Sequence, residues 1–102
     1  MDDRTILESS ETSGDLAGTA FTHESGRLRG AFRTGDFLGA VRLLDAVAPV
    51  AEGMNHHPDV VVSYGRVAFE LSSHDVKGVT ARDVRLALSI QRIAEEQGAT
   101  AG

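Results

Sequence analysis

The chain has no cysteine and no tryptophan, only two prolines, and no apolar run near the roughly 18 residues that a membrane-spanning helix needs. Without cysteine it can have no disulfide framework, no thiolate zinc site and no cysteine nucleophile. Histidine, carboxylate and hydroxyl groups must therefore supply any polar chemistry. The length of 102 residues, with 41% hydrophobic and 25% charged residues, is ordinary for one globular domain.

Positive charge is also scarce, because ten basic residues face fifteen acidic ones and give a formal net charge of −5. Residues 1–16 hold five of the acids and a single arginine, so the remainder is close to neutral. With no basic face to bind phosphates, we expect no direct contact with nucleic acid. The first ten residues lack the basic start and apolar stretch of a secretory signal, which favours a cytoplasmic protein without membrane attachment.

Hydrophobic periodicity predicts the element order β-β-α-β-β-α. The first hairpin falls between residues 20 and 35, and the second begins at residue 60 with its turn at Gly65. Asp36 is placed to begin a helix whose apolar stripe runs to Gly53, and Pro49 should kink that helix or end it early. A capping box from Thr80 to Asp83 predicts the start of the last helix.

This order predicts an α+β fold, a four-stranded antiparallel sheet of two hairpins with two or three helices packed on one face. The predicted domain organisation has three parts. Residues 1–18 form an acidic arm that is disordered or weakly helical, residues 19–96 form the single domain, and residues 97–102 form a C-terminal tail.

Three of the four histidines fall in one 19-residue window. His56 and His57 precede Pro58 in a helix-to-strand connection, where Pro58 favours extended backbone and adjacent side chains point to opposite sides. His74 follows the second hairpin, whose partner strand should bring it back toward Pro58. The sequence therefore predicts that three imidazoles converge, although each could also be an ordinary polar surface residue, as we expect of His23.

Simpler structural explanations exist for the residues near these histidines. Asp83 is explained by the capping box, Asn55 by a left-handed helix end, and Glu52 by its place at a helix terminus. A zinc site of three histidines and a glutamate is a further alternative. The spacing disfavours it, because metal-binding histidines usually lie three to five residues apart and adjacent ones on extended backbone diverge. No metal ligand is predicted.

The spacing of these histidines and of the acidic residues, proline and tyrosine around them resembles the signature of the pterin-4a-carbinolamine dehydratases, also called 4a-hydroxytetrahydrobiopterin dehydratases. The resemblance extends from about residue 21 to residue 93, and Phe21 takes a place where the family commonly has tryptophan. Ser73 stands where threonine is usual. The residues that carry the signature are Glu52, His56, His57, Pro58, Tyr64, His74 and Asp83.

The resemblance implies a hydro-lyase that dehydrates a 4a-hydroxytetrahydropterin to the quinonoid dihydropterin and so recycles the cofactor of aromatic amino acid hydroxylases. It implies that His56 and His74 act as acid and base and that His57 binds and orients the pterin. Neither metal nor bound cofactor is implied. The supporting or substrate-binding residues that it implies are Glu52, Asn55, Pro58, Ser73 and Asp83.

The family also has members that serve as dimerisation cofactors or assembly factors for other proteins. A dehydratase-like binding protein without activity is therefore the alternative function. In either case the resemblance implies a homodimer or homotetramer, with a protein partner as a further possibility.

Overall fold

The computed structural model describes residues 3–102 and contains three helices and five strands. None of the described helices is long and apolar enough to cross a membrane. The first two residues of the predicted acidic arm, Met1 and Asp2, lie outside the described part. In chain order the elements are α1 (Ser9–Leu16), β1 (Thr22–Glu24), β2 (Arg27–Arg33), α2 (Phe37–Met54), β3 (Asp59–Ser63), β4 (Arg66–Leu71), α3 (Ala81–Glu96) and β5 (Thr100–Ala101).

The strands form one antiparallel sheet, in which the order β1-β2-β4-β3 joins the two predicted hairpins through β2 and β4. The α+β prediction is thus confirmed. A fifth strand, β5, pairs with β2 beyond the end of β1. The hydrophobic pattern of the sequence did not indicate this strand. The segment predicted as a tail, residues 97–102, therefore contributes to the sheet, and the predicted arm contains α1.

Both long helices begin where their capping residues predict. The Asp36 carboxylate accepts a hydrogen bond from the Gly39 amide at 2.7 Å, and Thr80 and Asp83 make the reciprocal bonds of a capping box at the start of α3. Pro49 was predicted to kink α2 or to end it early, and the early end does not occur, because the helix continues to Met54. Proline removes only one helical hydrogen bond, and the apolar stripe continues into the core beyond it at Ala51.

The core lies between the sheet and the helices. Three phenylalanines cross it in edge-to-face contacts, with ring centroids 6.0 Å apart for Phe21 and Phe32 and 6.2 Å apart for Phe32 and Phe69. Leu43 of α2 and Ile90 of α3 are fully buried against this layer. The two helices therefore hold fixed positions over the sheet, which places the ends of α2 and β4 relative to the start of α3.

Gly30 in the middle of β2 allows the Phe21 ring to pack directly against the backbone. A Cβ atom at that position would lie 2.7–2.9 Å from atoms of the Phe21 ring, well inside van der Waals contact. We expect Gly30→Ala to lower the free energy of unfolding by about 1–3 kcal/mol through overpacking, measured by urea denaturation. Gly53→Ala is the matched control, because nothing lies within 4 Å of the added methyl group and helical alanine should stabilise by about 0.5–1 kcal/mol. Equal stability of the two variants would contradict the packing argument.

Candidate active site

The end of α2 sets the direction of the histidine pair. Asn55 closes the helix in the left-handed region, with φ 50° and ψ 42°, and its amide donates to the carbonyls of Ala51 and Glu52. The predicted left-handed helix end is therefore confirmed. Because the left-handed backbone of Asn55 ends the helix, the chain changes direction there, and His56, His57 and Pro58 connect α2 to β3.

The two rings of the pair meet different carboxylates. His56 is buried, and its Nε2 lies 2.5 Å from Oδ1 of Asp83 at the start of α3. His57 is exposed, and its Nε2 lies 2.7 Å from Oε1 of Glu52, which is exposed as well. Adjacent side chains thus take separate environments, as the extended backbone predicts.

Asp83 is the centre of a buried polar cluster. Its Oδ2 accepts hydrogen bonds from the Ser73 hydroxyl at 2.8 Å and from the Thr80 amide at 2.9 Å. The Thr80 and Ser73 hydroxyl oxygens are 2.8 Å apart. Asp83, Thr80 and Ser73 are at most 1% exposed, and no buried side-chain nitrogen or oxygen in residues 3–102 lacks a hydrogen-bond partner. A fully paired polar cluster of this kind holds its members in one geometry.

His74 occupies a more open place. It follows Ser73 in the loop after β4, is exposed, and makes no hydrogen bond or ion pair with residues 3–102. It lines a surface cavity of about 410 Å³ together with Ser72, Asp59 and Lys77. Hydrogen bonds therefore connect His56 and Ser73 with Asp83. His74 is linked to this cluster by the peptide bond to Ser73, and no hydrogen bond within residues 3–102 joins it directly.

The fourth histidine lies elsewhere, since Nδ1 of His23 is 2.8 Å from the Thr12 hydroxyl between α1 and β1. Within the described part of the chain, no three histidine or carboxylate side chains are grouped as a metal site requires. The chemistry that the clustered side chains themselves offer is proton transfer by imidazole, with carboxylates to orient two of the rings.

Several contacts around the site were not predicted from the sequence. Thr80 was predicted only as a helix cap, although its hydroxyl also meets Ser73. The bond between Asp83 and His56, and the contact of Arg82 with the loop that carries His74, were not foreseen either. The Arg82 guanidinium donates to Asp75 at 2.8 Å, directly after His74. An opposite charge seven residues away was visible in the sequence, but only the turn of the loop brings it within reach.

The Arg82 hydrogen bond, aided by the guanidinium charge, lowers the pKa of the Asp75 carboxyl from its ordinary value, and partial desolvation opposes the shift. Because the pKa is lower in the folded than in the unfolded chain, the pair stabilises the fold at neutral pH. That contribution is lost as the pH falls through the folded pKa.

Replacing the guanidinium should return Asp75 toward its ordinary titration. We expect Arg82→Gln to raise the pKa of Asp75, measured by carbon-13 NMR of the carboxyl group over an acidic pH series. Arg85→Gln is the control, because Arg85 pairs with Asp3 instead. An unchanged Asp75 titration in Arg82→Gln would show that the ion pair does not hold this loop in solution.

Comparison with known proteins agrees with this architecture. Residues 7–93 match the family described as pterin 4 alpha carbinolamine dehydratase. A Sulfolobus acidocaldarius protein, provisionally named a pterin-4-alpha-carbinolamine dehydratase, is 38% identical over 80 residues, which cover 78% of this chain and 86% of the relative. A Sulfurisphaera tokodaii protein with the same provisional name is 47% identical over 58 residues, covering 57% of this chain and 62% of the relative.

A solved structure supports the same assignment. The crystal structure of a transcriptional coactivator/pterin dehydratase from Brucella melitensis superposes with a TM-score of 0.81 at 28% identity. The superposition covers 88% of this chain and 99% of that one. Fold and sequence pattern therefore point the same way, and the chain belongs to the pterin-4-alpha-carbinolamine dehydratase family.

Proposed function

We propose that this protein dehydrates a 4a-hydroxytetrahydropterin to the quinonoid dihydropterin and water, the step that recycles the pterin of aromatic amino acid hydroxylases in the cytoplasm. The observation that carries the proposal is the pairing of His56 with the buried Asp83. The adjacent His57 meets a second carboxylate, and His74 follows Ser73, which donates a hydrogen bond to Asp83. Family membership supplies the substrate class.

The reaction needs two proton transfers and no change of oxidation state. The C4a–O bond breaks with its electron pair on oxygen, and a general acid protonates the departing hydroxide to water. A general base takes the proton from N5, whose bonding electrons form the new C4a=N5 double bond. Imidazole can fill either role near neutral pH, because its unperturbed pKa is about 6.5.

His56 and His74 are the proposed acid and base. Which of the two acts as the acid depends on the face of the pterin that carries the hydroxyl group. His56 is held by its buried partner, which suits a group that must meet the substrate at a fixed point. His74 borders the open cavity after β4, where its ring can reach a bound molecule. The proposal therefore combines one fixed ring with one adaptable ring.

The remaining side chains serve binding and orientation in this proposal. His57, oriented by Glu52, is exposed and can contact the polar edge of a pterin. Asn55 and Pro58 shape the backbone on either side of the pair, and Ser73 bonds the carboxylate that holds His56. In each of these roles the side chain binds or orients another group and transfers no proton itself.

A second candidate function is a binding protein that retains the dehydratase fold. The structural relative from Brucella melitensis bears a name that joins coactivator with dehydratase. In this chain the outer side of α2 exposes Phe37, Leu38 and Val41, each more than two-fifths accessible. Such apolar side chains favour a protein contact, either with another chain or with a second copy.

Enzyme and binding protein are separated by stopped-flow ultraviolet absorbance on freshly generated 4a-hydroxytetrahydropterin. We expect wild type to accelerate dehydration, and His56→Ala and His74→Ala to lower kcat by ~10²–10⁴ if each removes a dominant proton-transfer group. His23→Ala, which removes a ring that meets the Thr12 hydroxyl between α1 and β1, should keep wild-type turnover.

Two results would contradict the proposal. Wild-type turnover in both site variants would show that these histidines do not carry the protons. If wild type does not raise the dehydration rate above the rate in buffer, the binding-protein function is favoured instead.

We also propose that the chain forms a homodimer or homotetramer. β3 pairs only with β4 among the described strands and leaves its outer edge open, and the exposed apolar residues of α2 offer a further contact. Sedimentation equilibrium at micromolar concentration should give the mass of two or four chains. A mass of one chain would contradict the assembly.

A further inference from the structure

The hydrogen bonds around Asp83 have a direction that follows from what each group can do. The Arg82 guanidinium and amide can only donate, and both are 3.3 Å from the Thr80 hydroxyl oxygen. The Thr80 hydroxyl therefore accepts from Arg82 and has its own proton for Ser73. The Ser73 hydroxyl in turn donates to Oδ2 of Asp83. The hydroxyl protons of Thr80 and Ser73 therefore both point along this series of hydrogen bonds toward the carboxylate.

The direction of these bonds determines which nitrogen of His56 carries hydrogen. Oδ2 of Asp83 is occupied by two donors, and Oδ1 faces Nε2 of His56 at 2.5 Å. An ionised carboxylate can only accept, so Nε2 must donate. In a neutral imidazole with hydrogen on Nε2, the other nitrogen, Nδ1, holds the free electron pair.

Nδ1 of His56 is also the accessible nitrogen. It makes no hydrogen bond with any residue from 3 to 102, and no buried side-chain nitrogen in that range lacks a partner. It must therefore reach the protein surface, although the His56 side chain is only 10% exposed. One nitrogen is thus fixed in the interior and the other is turned outward.

We propose that Asp83 is a positioning residue that holds His56 in the Nε2–H tautomer and so makes Nδ1 the nitrogen that exchanges a proton with the substrate. The tautomer follows from the structure of this chain, and the identity of the proton's partner rests on the proposed dehydratase function.

In the proposed reaction the proton leaves N5 of the pterin for Nδ1 as the C4a–O bond breaks, or passes from a protonated Nδ1 to the departing hydroxide. Nε2 keeps its hydrogen in both directions. The imidazolium form, whichever step creates it, lies against the buried Asp83 carboxylate, which stabilises the positive charge without becoming protonated itself.

Asp83→Asn tests the tautomer without removing the helix cap. The Thr80 amide and the Ser73 hydroxyl both need an acceptor, so the carbonyl oxygen of the new amide should occupy the Oδ2 position. Its NH₂ group then faces Nε2 of His56, which must become an acceptor. The variant should therefore switch His56 to the Nδ1–H tautomer.

The measurement is long-range proton–nitrogen-15 NMR on protein with labelled histidine, which distinguishes protonated from unprotonated ring nitrogens and needs no pterin. We expect wild-type His56 to have hydrogen on Nε2, Asp83→Asn to have it on Nδ1, and the control Asp45→Asn to match wild type. Asp45 is an exposed carboxylate of α2, so the control removes the same charge far from the ring.

Turnover provides a separate measurement. A wrong tautomer blocks proton transfer and leaves binding intact, so Asp83→Asn should lower kcat by ~10²–10⁴ with KM nearly unchanged. Asp45→Asn should keep both constants.

Hydrogen on Nδ1 in wild type would overturn the proposal, and this measurement stands even if the variant fails to fold. An unswitched ring in folded Asp83→Asn, or a switched ring with wild-type kcat, would overturn it as well. If the tautomers agree with expectation but wild type dehydrates no pterin, the assignment of Asp83 to His56 is supported and the dehydratase proposal fails.

Discussion

The burial of one carboxylate governs the local structure of this protein. Asp83 is completely enclosed, and an enclosed charge is costly unless every lone pair finds a donor. Its donors come from three separate places: the residue that caps the start of α3, the loop after β4, and the loop after α2. Satisfying this single group therefore aligns three segments of the chain, and the candidate site lies where they meet.

Local rules in the sequence predicted much of this arrangement. The capping box from Thr80 to Asp83 depends on residues three apart, and the left-handed end at Asn55 depends on one residue, so both could be inferred from the sequence. The bond between Asp83 and His56 joins residues 27 apart and depends on how α2 and α3 pack against the sheet. The same reason explains why the contact of Arg82 with Asp75 was not foreseen, since the loop geometry decides it.

Where the structure differs from the sequence-based expectations, the differences have physical causes. Pro49 was expected to kink α2 or end it early. The helix does not end there, because proline costs one hydrogen bond and one steric contact, and the packing of the residues on both sides outweighs this cost. The strand β5 has only two residues and carries no periodic pattern, so it could not be distinguished from a tail. Its pairing with β2 depends on where α3 releases the chain, which is a tertiary property.

The uneven lengths of the edge strands limit how the sheet can grow. On one side the border consists of β1 and β5, with three and two residues, and such short strands offer little backbone for a further strand to pair with. On the other side β3 presents five residues. A sheet with a single usable border can join one neighbour there and is then complete, so any extension through the backbone ends at two copies and cannot propagate into a fibre.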